Sequence, residues 1–272
     1  MSTSAMARRI PRLTVLASVA VLAAVAVGAP AARADASPPP GTPTAHTFDG
    51  TPTVGPLYPD ATSDRHSCSA SVVASQRGDV LLTAAHCVSG TGAGDVFAPG
   101  FHGGVSPYGR WTVTAAYLAP GWLRRQNPRD DFAFLTVAPQ NVNGRSTEIQ
   151  AVTGANRLGF GAAPGERVTV PAYPAGTDND PVTCTTSVYF KGVFPAFNCN
   201  PYVGGTSGSP WLLNGAHGPT VVGIIAGLHQ GGCYSWTSYS SRLGTVAHRA
   251  FRRAALGAAP DTAPSPGSDG CS

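Results

Sequence analysis

The sequence predicts an all-β protein, and three observations carry that prediction. The middle two hundred or so of its 272 residues break into short apolar runs, the runs are punctuated by glycine and proline, and helical periodicity is confined to one stretch near the C-terminus. Glycine and proline are abundant, at 33 and 25 residues. Frequent turns between short strands indicate a barrel or sandwich.

The strand readings, in order, are residues 69–73, 79–83, 111–117, 132–137, 167–170, 183–190, 220–226 and 235–239. The single helix is read from Leu243, Val246, Ala247, Ala250, Phe251 and Ala254, which recur at helical spacing. Arg249, Arg252 and Arg253 lie mostly on the other face and toward the C-terminal end. Residues 35–50 and 258–272 are rich in Pro, Ser, Ala and Gly, and composition suggests a flexible lead or short propeptide and a flexible tail.

Residues 1–34 read as an export signal. Arg8, Arg9 and Arg12 precede an apolar run from Leu13 to Gly28, and Ala32-Arg33-Ala34 supplies a small-x-small cleavage pattern. The run is shorter than the ~20 residues a spanning helix needs, so a secreted protein is expected, without stable membrane association. Four of the eighteen Lys and Arg residues fall in this signal; the fourteen that remain balance fourteen Asp and Glu. A mature chain with no net charge offers no basic footprint for nucleic acid. Six cysteines, all beyond the signal, imply disulfides in an oxidising compartment, and no C-x-x-C or His-x-x-His spacing argues for zinc. No metal or cofactor is expected. Asp178-Asn179-Asp180 reads as a turn, because the full set of calcium ligands is missing.

Three stretches carry chemistry. Gly204-Gly205-Thr206-Ser207-Gly208-Ser209-Pro210 places a serine in a tight turn of small residues, where the amides of Gly205 and Ser207 can bind a developing oxyanion. A serine hydroxyl needs a base and an acid that orients the base. Thr83-Ala84-Ala85-His86-Cys87 follows one apolar strand, and Asp130-Asp131 stands at the mouth of another, Phe132-Ala133-Phe134-Leu135. In the order T-A-A-H-C, D-F-A-F-L and G-T-S-G-S-P, these blocks resemble the signatures of the chymotrypsin-like (trypsin-like) serine endopeptidases, and the likeness spans residues 54–256.

That resemblance implies two antiparallel six-stranded β-barrels with a C-terminal helix. The first barrel would occupy 51–139, a polar linker 140–147, the second barrel 148–242 and the helix 243–257. It implies His86 as general base and acid, Asp131 as its orienting carboxylate, Ser207 as nucleophile, and Gly205 and Ser207 as the oxyanion hole. It also implies disulfides Cys68–Cys87 and Cys184–Cys199, which leaves Cys233 and Cys271 to pair and tie down the tail. By the same resemblance the pocket for the residue before the scissile bond involves Pro201, Tyr202, Gly227 and His229. Pro201 stands where trypsin-like members carry an acid, so a tryptic preference is not expected, whereas His229 could receive a glutamate carboxylate. Thr206 precedes the nucleophile where many animal members have an aspartate, and the sequence is closer to bacterial glutamyl-endopeptidase-like members. The expected protein is a monomeric secreted endopeptidase acting on polypeptide. The competing expectation is an inactive homologue serving as an extracellular protein-binding module.

Overall fold

The computed structural model describes residues 36–175 and 180–271. The predicted signal, together with Asp178 and Asn179, lies outside the described residues. Residues 35–272 form one compact unit.

Six strands close into a barrel. They are β1 (Val54–Tyr58), β2 (Cys68–Val72), β3 (Val80–Thr83), β4 (Val96–Phe97), β5 (Trp111–Leu118) and β6 (Ala133–Val137), paired around the ring in the order β1-β2-β3-β6-β5-β4. The pleat decides where each apolar side chain goes. In β3 and β6, Leu81 opposite Leu135 packs with Leu57, Val72, Val113 and Trp111 in one cluster. Their neighbours Val80, Leu82 and Phe134 belong to another, with Leu212, Val221 and Ile224 of the second half and Ala247 and Ala250 of the C-terminal helix. Both faces of these strands are buried, which is why they read as unbroken apolar runs.

The second half contains β7 (Arg157–Leu158), β8 (Arg167–Thr169), β9 (Thr185–Ser187), β10 (Tyr189–Lys191), β11 (Phe194–Asn198), β12 (Pro210–Leu213), β13 (Thr220–Ile224) and β14 (Thr237–Tyr239). They form a five-stranded sheet ordered β7-β13-β12-β8-β9 and a three-stranded sheet ordered β10-β11-β14. The ladders are antiparallel except for the two-residue pairing of β7 with β13. Val168, Val170, Phe197, Tyr202, Trp211, Val222 and Ile225 form the core of this half, beside the Cys184–Cys199 disulfide. Two short helices, α1 (Pro120–Arg125) and α2 (Ile149–Thr153), flank the first barrel, and α3 (Thr245–Ala255) is the predicted terminal helix.

Three segments are more ordered than their composition suggested. The polar stretch 140–147 is a hairpin of Gln140–Val142 with Arg145–Thr147, turned by Asn143 and Gly144, both at positive φ as a two-residue hairpin turn of this kind requires. In the lead, His46–Thr47 pairs with Val182–Thr183, and Ala45 N–H donates to the Asn200 carbonyl at 2.8 Å. After α3, Asp261 is gripped by both Arg253 nitrogens (2.8 and 2.9 Å) and accepts the Leu118 N–H, and Gly90 and Ala263 exchange two backbone bonds. Proline-rich chain cannot build a core, but its carbonyls remain available to donors elsewhere.

Leu81 is fully buried. Leu81→Ala should cost about 2–5 kcal/mol in denaturant unfolding, from lost burial plus the cavity left behind.

Candidate active site

Strand β3 ends at Thr83, and Ala84 leads into a single 3-10 turn, Ala85–Cys87, that carries His86. The Cys68–Cys87 disulfide fastens this turn to β2. On the adjacent strand, the turn Pro128–Asp130 is capped by the Asn127 side chain, which accepts the Arg129 N–H, and it delivers Asp131 to the start of β6.

Asp131 is fully buried. Its Oδ1 accepts the His86 backbone N–H at 2.9 Å. Its Oδ2 accepts His86 Nδ1–H at 2.8 Å and Gly227 N–H at 2.8 Å. The Asp131 carbonyl in turn accepts the Ser241 hydroxyl at 2.9 Å. An ionised carboxylate can only accept, so Nδ1 carries a proton and the neutral imidazole keeps its lone pair on Nε2. Asp130 turns elsewhere: its Oδ2 accepts Asn127 Nδ2–H and packs so closely on Gly121 that a Cβ there would lie 1.9 Å away.

The serine loop is held from the first barrel. Ser69 of β2 donates its N–H to the Ser207 carbonyl (2.7 Å) and its hydroxyl to the Gly205 carbonyl (3.0 Å). The Gly204 carbonyl accepts Ala175 N–H at 2.7 Å, and the Thr206 carbonyl accepts Ser209 N–H at 3.1 Å. In a trans peptide N–H and C=O point opposite ways, so the Gly205 and Ser207 N–H groups face away from those partners. Neither takes a backbone partner among the described residues. Gly205 has φ +91° and would place a Cβ 2.3 Å from Ala175 N; Gly208 has φ +84° and would place one 2.2 Å from the Ser69 carbonyl. Only glycine fits either position.

His86, Gly205 and Ser207 line one cleft of about 750 Å³. A second cavity of about 270 Å³ shares Gly204, Ser207, Gln230 and Gly232 with it and is lined further by Tyr202, Ile225, Tyr234 and Thr237, with no charged side chain. Four residues had been expected in such a pocket. Tyr202 lines it, its phenol pushed up by burial and its hydroxyl donated to the Val170 carbonyl. Pro201 is exposed, follows a cis peptide and lines neither cavity. Gly227 lines neither and serves Asp131 instead. His229 lines the larger cleft alone, with Nδ1–H donated to the Asp269 carbonyl at 3.0 Å.

Sequence reasoning missed Ser69 and the Gly227 amide as supports, because a lone serine in a strand and a backbone N–H carry no motif. It also missed Asp95, Pro266 and Asp269 in the cleft wall. Burial, and secondarily the Asp60 carboxylate, push Asp95 up to about 6.

A trypsin-like peptidase domain profile matches residues 68–224, a stretch that contains His86, Asp131 and Ser207. The chain belongs to the trypsin-like peptidase family. No curated protein is significantly similar in sequence. Among solved structures, this trypsin-like peptidase is similar to the protease Anisep from Arthrobacter nicotinovorans (25% identity, TM-score 0.66, 78% of this chain and 100% of that one). It shares its fold with a thermostable serine protease, AL20, from an extremophilic microorganism (24% identity, TM-score 0.63, 76% and 98%). It also shares that fold with a Glu endopeptidase (16% identity, TM-score 0.61, 79% and 98%). Before the serine, this trypsin-like peptidase carries Thr206, whose hydroxyl closes the local turn by donating to the Val203 carbonyl at 2.8 Å.

Gly208→Ala should lower the unfolding temperature by several degrees, because a Cβ at that φ meets the Ser69 carbonyl. The folded-state affinity of Asp95 for a proton exceeds that of the unfolded chain. Its ionisation therefore removes stability as pH rises from about 4 through about 6. Asp95→Asn should match the parent's melting temperature at pH 3.5 and exceed it at pH 7.5; an equal gap at both values in calorimetry contradicts this.

Proposed function

We propose that this trypsin-like peptidase is a secreted serine endopeptidase that hydrolyses polypeptide through an acyl-enzyme. The observation that carries the reading is the His86 Nδ1–H bond to the buried Asp131 carboxylate, in the cleft that also holds Ser207. Asp131 fixes the tautomer, leaving Nε2 to take the Ser207 proton as Oγ attacks the scissile carbonyl carbon. The oxygen that becomes negative is held by the Gly205 and Ser207 N–H groups. Collapse breaks the C–N bond, His86 returns the proton to the leaving amine, and water then attacks the ester by the same route in reverse. Three disulfides among the described residues support an oxidising destination. No helix among the described residues is long and apolar enough to cross a membrane.

The uncharged cavity beside Ser207 receives the side chain before the scissile bond. With neither cation nor carboxylate in its walls, it favours a neutral side chain of moderate size over Glu, Lys or Arg.

Ser207→Ala should abolish peptide hydrolysis while the variant folds with its disulfides intact; turnover at the parent's rate rules the mechanism out. Sequencing of peptides released from a denatured proteome should show cuts mainly after uncharged residues. Cuts mainly after glutamate would contradict the assignment of the pocket.

A further inference from the structure

Residues 228–232 form the wall shared by the two cavities, since Gln230 and Gly232 line both. Their backbone is strained. His229 (φ 52°, ψ 38°) and Gln230 (φ 50°, ψ 32°) are consecutive non-glycine residues in the left-handed region, a costly conformation that persists only where surroundings impose it. Two local backbone bonds close the bend, Gln230 N–H to the Gly227 carbonyl (3.0 Å) and Gly232 N–H to the His229 carbonyl (3.1 Å).

Two side-chain hydrogen bonds and a disulfide tie the bend to residues 267–271. His229 Nδ1–H donates to the Asp269 carbonyl at 3.0 Å, Gln230 Nε2–H to the Gly267 carbonyl at 2.7 Å, and Cys233 is bonded to Cys271. This segment is itself anchored to the first barrel's flank, where Gln126 donates to the Ser265 carbonyl (2.8 Å) and accepts the Gly267 N–H (2.7 Å). The Asp269 carboxylate accepts the Cys271 N–H at 3.0 Å, which orders the chain at the disulfide. Pro266 and Asp269 complete the wall of the cleft.

We infer that residues 265–271 are a positioning element for substrate selection: they hold the wall 228–232 in its left-handed bend, with the Cys233–Cys271 disulfide as the fastener. The bend-holding role stands on geometry alone, and its consequence for turnover rests on the endopeptidase reading. Released from the latch, the wall relaxes toward ordinary backbone angles, and both cavities lose the contour supplied by Gln230 and Gly232. Asp131 and His86 keep their mutual bonds and the Ser207 carbonyl keeps its bond to Ser69, while Gly227, which also donates to Asp131, stands at the near end of the bend.

The test compares the parent chain, Cys271→Ser, and a chain ending at Ser265. Hydrogen exchange of the 228–232 amides should accelerate about tenfold in the truncated chain and by a smaller factor in C271S, with exchange in the barrel strands unchanged. With extended peptides, KM should rise about tenfold in the truncated chain while kcat changes little. Labelling of Ser207 by a small fluorophosphonate in C271S should stay within about twofold of the parent rate, a pattern that general destabilisation does not produce. If the truncated chain does not fold, C271S decides through the same exchange and KM measurements. Unchanged exchange and KM overturn the inference. A fall in KM or a gain in kcat also overturns it, by making the segment an obstruction rather than a support. Faster exchange in a protein whose Ser207 is never labelled would sink the endopeptidase reading and leave the bend-holding role standing.

Discussion

One buried carboxylate fixes the geometry on which the site depends. Asp131 belongs to the first barrel, yet its oxygens are satisfied from both halves: His86 supplies two N–H donors and Gly227 supplies a third. A buried charge is tolerable only when its lone pairs are filled. The two halves must therefore meet in the one arrangement that brings the Gly227 amide and the His86 ring to the same group. Ser241 adds a fourth bond, to the Asp131 carbonyl, from beyond the last strand of the second half. The traffic also runs the other way, because Ser69 of the first barrel holds the carbonyls of Gly205 and Ser207. Behind these polar links, Leu82 and Phe134 pack against Leu212, Val221 and Ile224, so apolar burial supplies the adhesion and the hydrogen bonds supply the register.

The same division of labour extends to the cleft walls. His86, Asp131 and Ser207, the proposed reacting groups, sit on short turns pinned to barrel strands, where a disulfide and close glycine contacts leave little freedom. The walls that would meet a substrate are built from loops, and the outermost is braced by the chain's own C-terminus. Such a layout lets the selecting surface vary without disturbing the proton-transfer geometry. The small cavity, proposed above to receive the side chain before the scissile bond, has neither Asp131 nor His86 in its walls.

How much of this was legible in the sequence depends on where the stabilising atoms reside. Val80-Leu81-Leu82 and Phe134-Leu135 were readable because both faces of their strands are buried, and α3 because its apolar stripe repeats at helical spacing. Val54–Tyr58 escaped because Gly55 and Pro56 interrupt it; a Cβ on Gly55 would lie 2.2 Å from the Ala98 carbonyl, so close strand approach dictated a residue that reads as a turn. Val96–Phe97 is too short to show alternation. Residues 258–271 are more ordered than their composition suggests for a different reason: beyond the expected Cys233–Cys271 bridge, the order comes from the side chains of Gln126, Gln230 and Arg253, which the composition of the segment does not announce. Asn143-Gly144 did announce a hairpin, but its polar surroundings made it look like a linker. At the site, the motif stretches led to His86, Asp131 and Ser207; of the residues expected in the pocket, Tyr202 lines the small cavity and His229 the larger cleft, while Pro201 and Gly227 line neither.

The most direct measurement is the rate at which a fluorophosphonate phosphonylates Ser207, with loss of fluoride, in Asp131→Asn, a change that keeps the shape of the side chain while removing its charge and allowing the wrong histidine tautomer. The account predicts a loss of about 10⁴-fold near neutral pH in a protein that still folds. A rate within tenfold of the parent would show that Asp131 does not set the state of His86, and the account of the site would be wrong.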